Sequence, residues 1–122
     1  MKWLISFLMV YSSLLSDVIA VASDGESLKS NISSQASRCN YYIFIDERGK
    51  ILEIIQNPHK DVKGGASSKL VEMLKSKKAS NIIASDFGEK LTISLEDNGI
   101  KYTFYKGNIK KYIQSELIKT KK

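Results

Sequence analysis

The sequence predicts an α/β domain in three layers, with helices on both faces of a mixed five-stranded sheet. Three observations lead there. Five short runs are rich in β-branched and aromatic residues, three segments carry apolar residues at helical spacing, and strands alternate with helices only in the second half of the chain. With 122 residues, 43% of them apolar, one proline and seven glycines, the chain has room for a single core. That balance excludes collagen-like, Pro-rich and wholly disordered classes.

The elements follow in order. Val18-Ile19-Ala20-Val21-Ala22 is an unbroken apolar run ended by Ser23-Asp24-Gly25, which reads as a buried strand and a turn. Residues 25–37 are rich in Ser and Asn without apolar period, and are expected to form a long ordered loop. Tyr41 to Asp46 is a second strand, and Glu47-Arg48-Gly49-Lys50 turns it back into Ile51-Leu52-Glu53-Ile54-Ile55 as a hairpin. Asn57-Pro58 ends that strand, because proline cannot donate to a ladder.

A second loop then runs through His59, Lys60 and Asp61 to Gly64-Gly65. Ala66, Leu70, Val71 and Leu74 recur at helical spacing and predict a helix over 67–77. Asn81 to Ala84 is a short buried strand, after which Asp86 is expected to cap a helix carrying Phe87, Leu91 and Leu95 on one face. Asn98-Gly99 stops it, Ile100 to Tyr105 is the last strand, and Gly107-Asn108 opens a third helix with Ile109, Ile113 and Leu117 inward. With the first strand at the centre, the expected sheet order is 3-2-1-4-5 with strand two antiparallel, as in ribonuclease H-like folds.

Residues 1–17 stand apart. Lys2 and the apolar run from Trp3 to Leu15, with Ala20 and Ala22 beyond, have the grammar of a secretory signal peptide, and the run is short for a stable membrane anchor. Cleavage after Ala22 would delete the first strand, so residues 1–17 are expected to be an extension, or a misassigned start, ahead of an intact domain at 18–118; the alternative is an exported binding domain that begins later in the chain. Residues 119–122 form a basic tail. The net charge of +6 is scattered apart from Lys75, Lys77, Lys78 and that tail, which reads as solvated surface and not as a nucleic-acid patch.

Few residues carry chemistry. Cys39, the single cysteine, excludes an intramolecular disulfide; it lies where a polar loop meets a strand, beside Arg38, whose charge would favour a metal-binding thiolate. Its plain reading is a small buried hydrophobe. His59, the only histidine, is either an imidazole ligand on the second loop or simply solvated. Gly64-Gly65 ahead of a helix either turns its amides to an anion or is a flexible turn. Asp24, Asp46, Glu47 and Asp86 lie at strand or turn ends, where a two-metal nuclease of this topology would need clustered carboxylates; each also suits a turn or cap. Nucleophilic catalysis by Cys39 with His59 lacks an evident orienting group.

Several pieces together resemble the dinitrogenase iron-molybdenum cofactor biosynthesis family, or nitrogenase accessory factors. These are Ile19-Ala20-Val21-Ala22-Ser23-Asp24-Gly25; Ser33, then Arg38-Cys39-Asn40-Tyr41-Tyr42; Asn57-Pro58-His59; Gly64-Gly65-Ala66; Gly88; Gly99-Ile100-Lys101; and Gly107-Asn108-Ile109. Two positions depart from the family pattern: Ala36-Ser37 replaces Phe-Gly, and Asn40 replaces the proline after the cysteine. The resemblance implies a cytoplasmic, non-enzymatic accessory or carrier module that binds an iron-sulfur or iron-molybdenum cofactor precursor, or proteins that assemble it. It also implies Arg38, Cys39, His59, Gly64 and Gly65 as the cofactor-binding set, with Cys39 and His59 as metal ligands. One thiol and one imidazole fall short of the roughly four ligands of a self-contained cluster, so the cofactor would arrive preassembled or share ligands across a homodimer.

Overall fold

A computed structural model describes residues 17–118; the signal-like run and the basic tail lie outside them. Five strands, β1 (Val18–Ser23), β2 (Tyr41–Ile45), β3 (Ile51–Gln56), β4 (Ala79–Ala84) and β5 (Lys101–Phe104), form one sheet in the order β3-β2-β1-β4-β5. β1 pairs antiparallel with β2 and parallel with β4, β2 pairs antiparallel with β3, and β4 parallel with β5. Helices α1 (Ala66–Ser76), α2 (Glu89–Asp97) and α3 (Ile109–Tyr112) follow β3, β4 and β5. The expected order and class therefore hold.

The sheet is buried on both faces. Under α1 and α2 lie Ala20, Ala22, Tyr42, Phe44, Ile82 and Ala84, packed with Leu70, Leu74, Leu91 and Leu95. On the opposite face Ile19, Val21, Ile43, Ile45 and Ile83 meet Ile109, Tyr112 and Ile113. Successive strand residues point to opposite faces, so the pattern Ile-Ala-Val-Ala in β1 sends the alanines to α1 and α2 and the larger residues to α3. Small residues on one face let two full helices sit close to the sheet. Bulky ones on the other fill the space over which only one short helix lies.

Two local expectations are corrected. Asp86 does not cap α2: the N-cap residue is Gly88, at φ 79, and no side chain bonds there. Phe87 precedes the helix and turns into the core, its ring also meeting the exposed Phe104 at 5.0 Å between centroids, so the chain needs the glycine's positive φ to turn from it into the helix. The third amphipathic face also changes pitch, because α3 passes at Ile113 into a π-helical turn reaching Leu117. Asn108 caps α3 as expected, accepting from the Lys111 amide at 2.8 Å.

The β2–β3 turn is tied to α3. Gly49 has φ +87, and a Cβ there would clash with a methyl of Ile113. Gly49→Ala is therefore expected to destabilise by roughly 1–3 kcal/mol through strain and overpacking. Leu74→Ala, at a fully buried site, should cost about 2–5 kcal/mol, and Ile93→Ala, exposed on α2, within about 0.5 kcal/mol. Urea unfolding of the three variants checks this ranking.

Candidate functional site

β1, β4 and β5 run parallel, so the loops leaving β1 and β4 emerge at the same end of the sheet. The first crosses toward β2 and the second toward α2 and β5. Neighbouring parallel strands whose connections depart in opposite directions leave a crevice at their carboxyl ends, the usual place for a ligand in an open α/β sheet.

Backbone pairing folds the polar loop after β1 into that crevice. The Ser33 amide donates to the Ala22 carbonyl at 2.8 Å, the Ser85 amide donates to the Ser33 carbonyl at 2.9 Å, and Ile32 bridges to Ser23. The expected ordered loop is thus a third edge laid across the ends of β1 and β4. On one side of it is a cleft of about 220 Å3 lined by Asp24, Ser33, Ser34, Gln35, Arg38, Cys39, Asn40 and Lys60. On the other is a second, also about 220 Å3, bounded by Ser34, Gln35, Arg38, Asp86, Phe87 and Gly88.

The loop after β3 joins from the side. Asn57 is buried, and its side-chain amide donates to the Ser37 and Cys39 carbonyls at 3.2 and 3.0 Å while its oxygen accepts from the His59 amide. Arg38 reaches across and donates through Nη1 to the Lys60 and Val62 carbonyls at 3.0 and 2.7 Å. The loop of Arg38 and Cys39 and the loop beginning at His59 therefore meet, through one amide and one guanidinium. Asn57 was legible only as a strand terminator; nothing in the sequence marked its side chain as the pin between loops.

The five expected site residues do not converge. Arg38 and Cys39 line the first cleft; His59, half-buried, does not, and neither do Gly64 and Gly65, which are exposed at the start of α1. Gly65, at φ 76, serves as the N-cap of α1 with open space around it. Lys60, the next residue after His59, does line the first cleft. Among the described residues, no three His, Cys, Asp or Glu side chains stand close enough to hold a metal ion. Asp46 lies at the opposite end of the sheet from Asp24 and Asp86, bonded by the Arg48 and Lys50 amides in the hairpin turn, so the carboxylates expected of a nuclease are dispersed.

The thiolate expectation for Cys39 does not hold. Its side chain is 3% exposed, and Sγ donates to the Tyr41 carbonyl at 3.2 Å, close to the buried Tyr42 hydroxyl, which donates to Ala36. Burial pushes the thiol up to about 11 from 9.0, and hydrogen bonds from Tyr42 and Ser23 only partly offset it. Burial likewise pushes the Tyr42 phenol up. Arg38, the neighbour expected to favour the thiolate, spends Nη1 on carbonyls instead.

These features define a class: a small open-sheet α/β domain with a polar, cation-bearing crevice at its strand ends. The sequence profile of the Dinitrogenase iron-molybdenum cofactor family matches residues 17–121, and the chain belongs to that family. A Thermotoga protein named for NifB and the DUF35 family is 31% identical, with 81% of this chain and 85% of that one covered at a TM-score of 0.66. The apo orange protein of Desulfovibrio gigas shares the fold at 20% identity, 80% and 84% coverage and a TM-score of 0.72. A protein of Methanocaldococcus jannaschii named as a dinitrogenase shares it at 17% identity, 84% and 92% coverage and a TM-score of 0.53. No curated protein matches the chain.

A raised thiol pKa has a definite sign in stability. Between pH about 9 and about 11 the unfolded chain has released the Cys39 proton and the native chain retains it, so stability falls as pH rises. Wild type is expected to lose on the order of 2 kcal/mol more than Cys39→Ala between pH 8 and 11 in urea unfolding. Native Cys39 should also resist iodoacetamide at pH 8 until the chain is unfolded.

Proposed function

We propose that this chain is a non-catalytic accessory or carrier protein of cofactor assembly, taking an anionic iron-sulfur or iron-molybdenum precursor as cargo in the crevice beside β1. Membership of the Dinitrogenase iron-molybdenum cofactor family supports the cargo class. The observation that carries the site is Arg38, which spans two loops, borders both clefts and commits Nη1 alone to carbonyls.

The donor set decides how the cargo is held. A conventional cluster takes about four protein ligands, and here the thiol is protonated and buried and the imidazole stands outside the cleft. Holding therefore rests on charge and hydrogen bonding to a preassembled anion. Arg38 and Lys60 supply positive charge against the single carboxylate of Asp24, and the Ser33 and Ser34 hydroxyls supply donors, with the second hydrogen of the Asn40 amide, whose first goes to the Asp24 carbonyl. Cys39 and His59 act as secondary contacts at most, reached when the Arg38-tied loops part. A cleft of about 220 Å3 is smaller than the roughly 300–1,000 Å3 of enclosed small-molecule sites, which suits cargo held partly outside and released to a partner.

Proteins that assemble or receive the cofactor are the partners this reading calls for, and a cytoplasmic setting follows from that chemistry. Among the described residues no helix is long and apolar enough to cross a membrane. The 3-2-1-4-5 sheet with one antiparallel hairpin supports the ribonuclease H-like description of the fold.

The test is anaerobic loading with a preassembled thiolate-ligated [4Fe–4S] anion, followed by bound iron and absorbance after gel filtration. Arg38→Ala with Lys60→Ala should weaken retention at least about tenfold, consistent with loss of one or two charge-assisted bonds. Cys39→Ser and His59→Ala should each change it less than about threefold. Equal retention by every variant would remove the crevice as the site and leave partner binding as the family role.

A further inference from the structure

We propose that two copies of this chain associate edge to edge through β3, antiparallel, with Ile54 of one copy opposite Ile54 of the second. β3 is the outer strand beside β2, and among the described residues no backbone hydrogen bond crosses its free edge. Its side chains are exposed to an unusual degree for their type: Ile51 39%, Leu52 50% and Ile54 38%. Ile51 and Ile54 stand opposite Ile45 and Ile43, which belong to the core under α3, so the apolar face of the sheet continues past the reach of that short helix.

Edge strands are normally guarded by proline, lysine, an inward charge or a β-bulge. Ile51-Leu52-Glu53-Ile54-Ile55-Gln56 has neither proline nor lysine, and its one charge, Glu53, is paired with Lys77 at 2.9 Å. A register irregularity between Phe44 and Ile45 leaves Leu52 without a partner on β2, so the bulge lies at the Ile51–Leu52 end and Glu53 to Gln56 stay regular. The opposite edge is a poorer candidate. β5 is four residues long, begins at Lys101 and is followed by Lys106, and its exposed Phe104 already packs on Phe87.

Symmetry selects the register. A two-fold axis normal to the sheet keeps faces aligned, so it must pass through a residue pair of like number. Centring on Glu53 sets two carboxylates against each other, centring on Leu52 sets Ile54 against Lys50, and centring on Ile55 pairs side chains already packed against the core under α1 and α2. Centring on Ile54 places the two Ile54 side chains together on the regular stretch of β3, with Glu53 of each copy opposite Ile55 of the other. A six-residue edge about 20 Å long falls at the low end of interface sizes, below roughly 1,200 Å2, so the dimer is expected to be micromolar and concentration-dependent. This inference stands independently of the cargo reading.

Sedimentation velocity of the full chain from about 10 to about 500 µM should show mass rising from monomer toward dimer, with Ile54→Lys weakening association at least tenfold and Ile93→Lys leaving it unchanged. Directly opposed strand residues have Cα atoms about 4.5 or 5.5 Å apart, within disulfide reach. Ile54→Cys should therefore form a covalent dimer under mild oxidant, and Glu53→Cys should not. A monomer at every concentration would overturn the proposal. So would association that Ile54→Lys leaves intact, including association abolished by trimming residues 1–16, or equal crosslinking at positions 53 and 54.

Discussion

The double pairing of β1 is the constraint on which the rest of this molecule depends. It is the one strand bonded antiparallel on one side and parallel on the other, so it joins the hairpin half of the sheet to the crossover half. Its side chains sort the two cores, alanines beneath the paired helices and Ile19 and Val21 beneath the short one. A chain cut after Ala22 would keep both halves and lose the strand that unites them. The crevice follows from the same pairing, because it opens where β1 and its parallel neighbour β4 send their chains in opposite directions.

On the proposed reading, charge and not ligation would hold a cofactor precursor in the crevice. Burial costs a thiolate more than its hydrogen bonds return at Cys39, so near neutrality that residue is a packing element of the loop, bonded to Tyr41 and neighboured by Tyr42. Arg38 has the opposite character, with a planar fork that can hold carbonyls with one nitrogen and face an anion with others. Its bonds to Lys60 and Val62 also make it the fastener between two loops, so cargo that draws it away would loosen the cover over Cys39.

The strands were legible because each is an apolar run bounded by turn residues, and the sheet order followed once β1 was taken as central. The start of α2 was misread because Asp86 has the chemistry of a cap, whereas Phe87 needed burial first and pushed the helix start past Gly88. The family resemblance pointed to two loops that do meet in the structure, but of its five residues only Arg38 and Cys39 line the cleft between them. Lys60 looked like any surface lysine, and only the Asn57 and Arg38 bonds, between residues 18 to 24 positions apart, turn its segment to the cleft. Long-range side-chain bonds of this kind leave no periodic trace in a sequence.

Amide NMR of the 15N-labelled full chain, titrated anaerobically with the preassembled [4Fe–4S] anion, tests the crevice most directly. Shifts and paramagnetic broadening concentrated at residues 24–40, 57–62 and 85–88, with β3 and α3 unaffected, are the expected result. Perturbation centred on β3 or the face of α3, or none at saturating cluster, would contradict a cargo held at the strand ends.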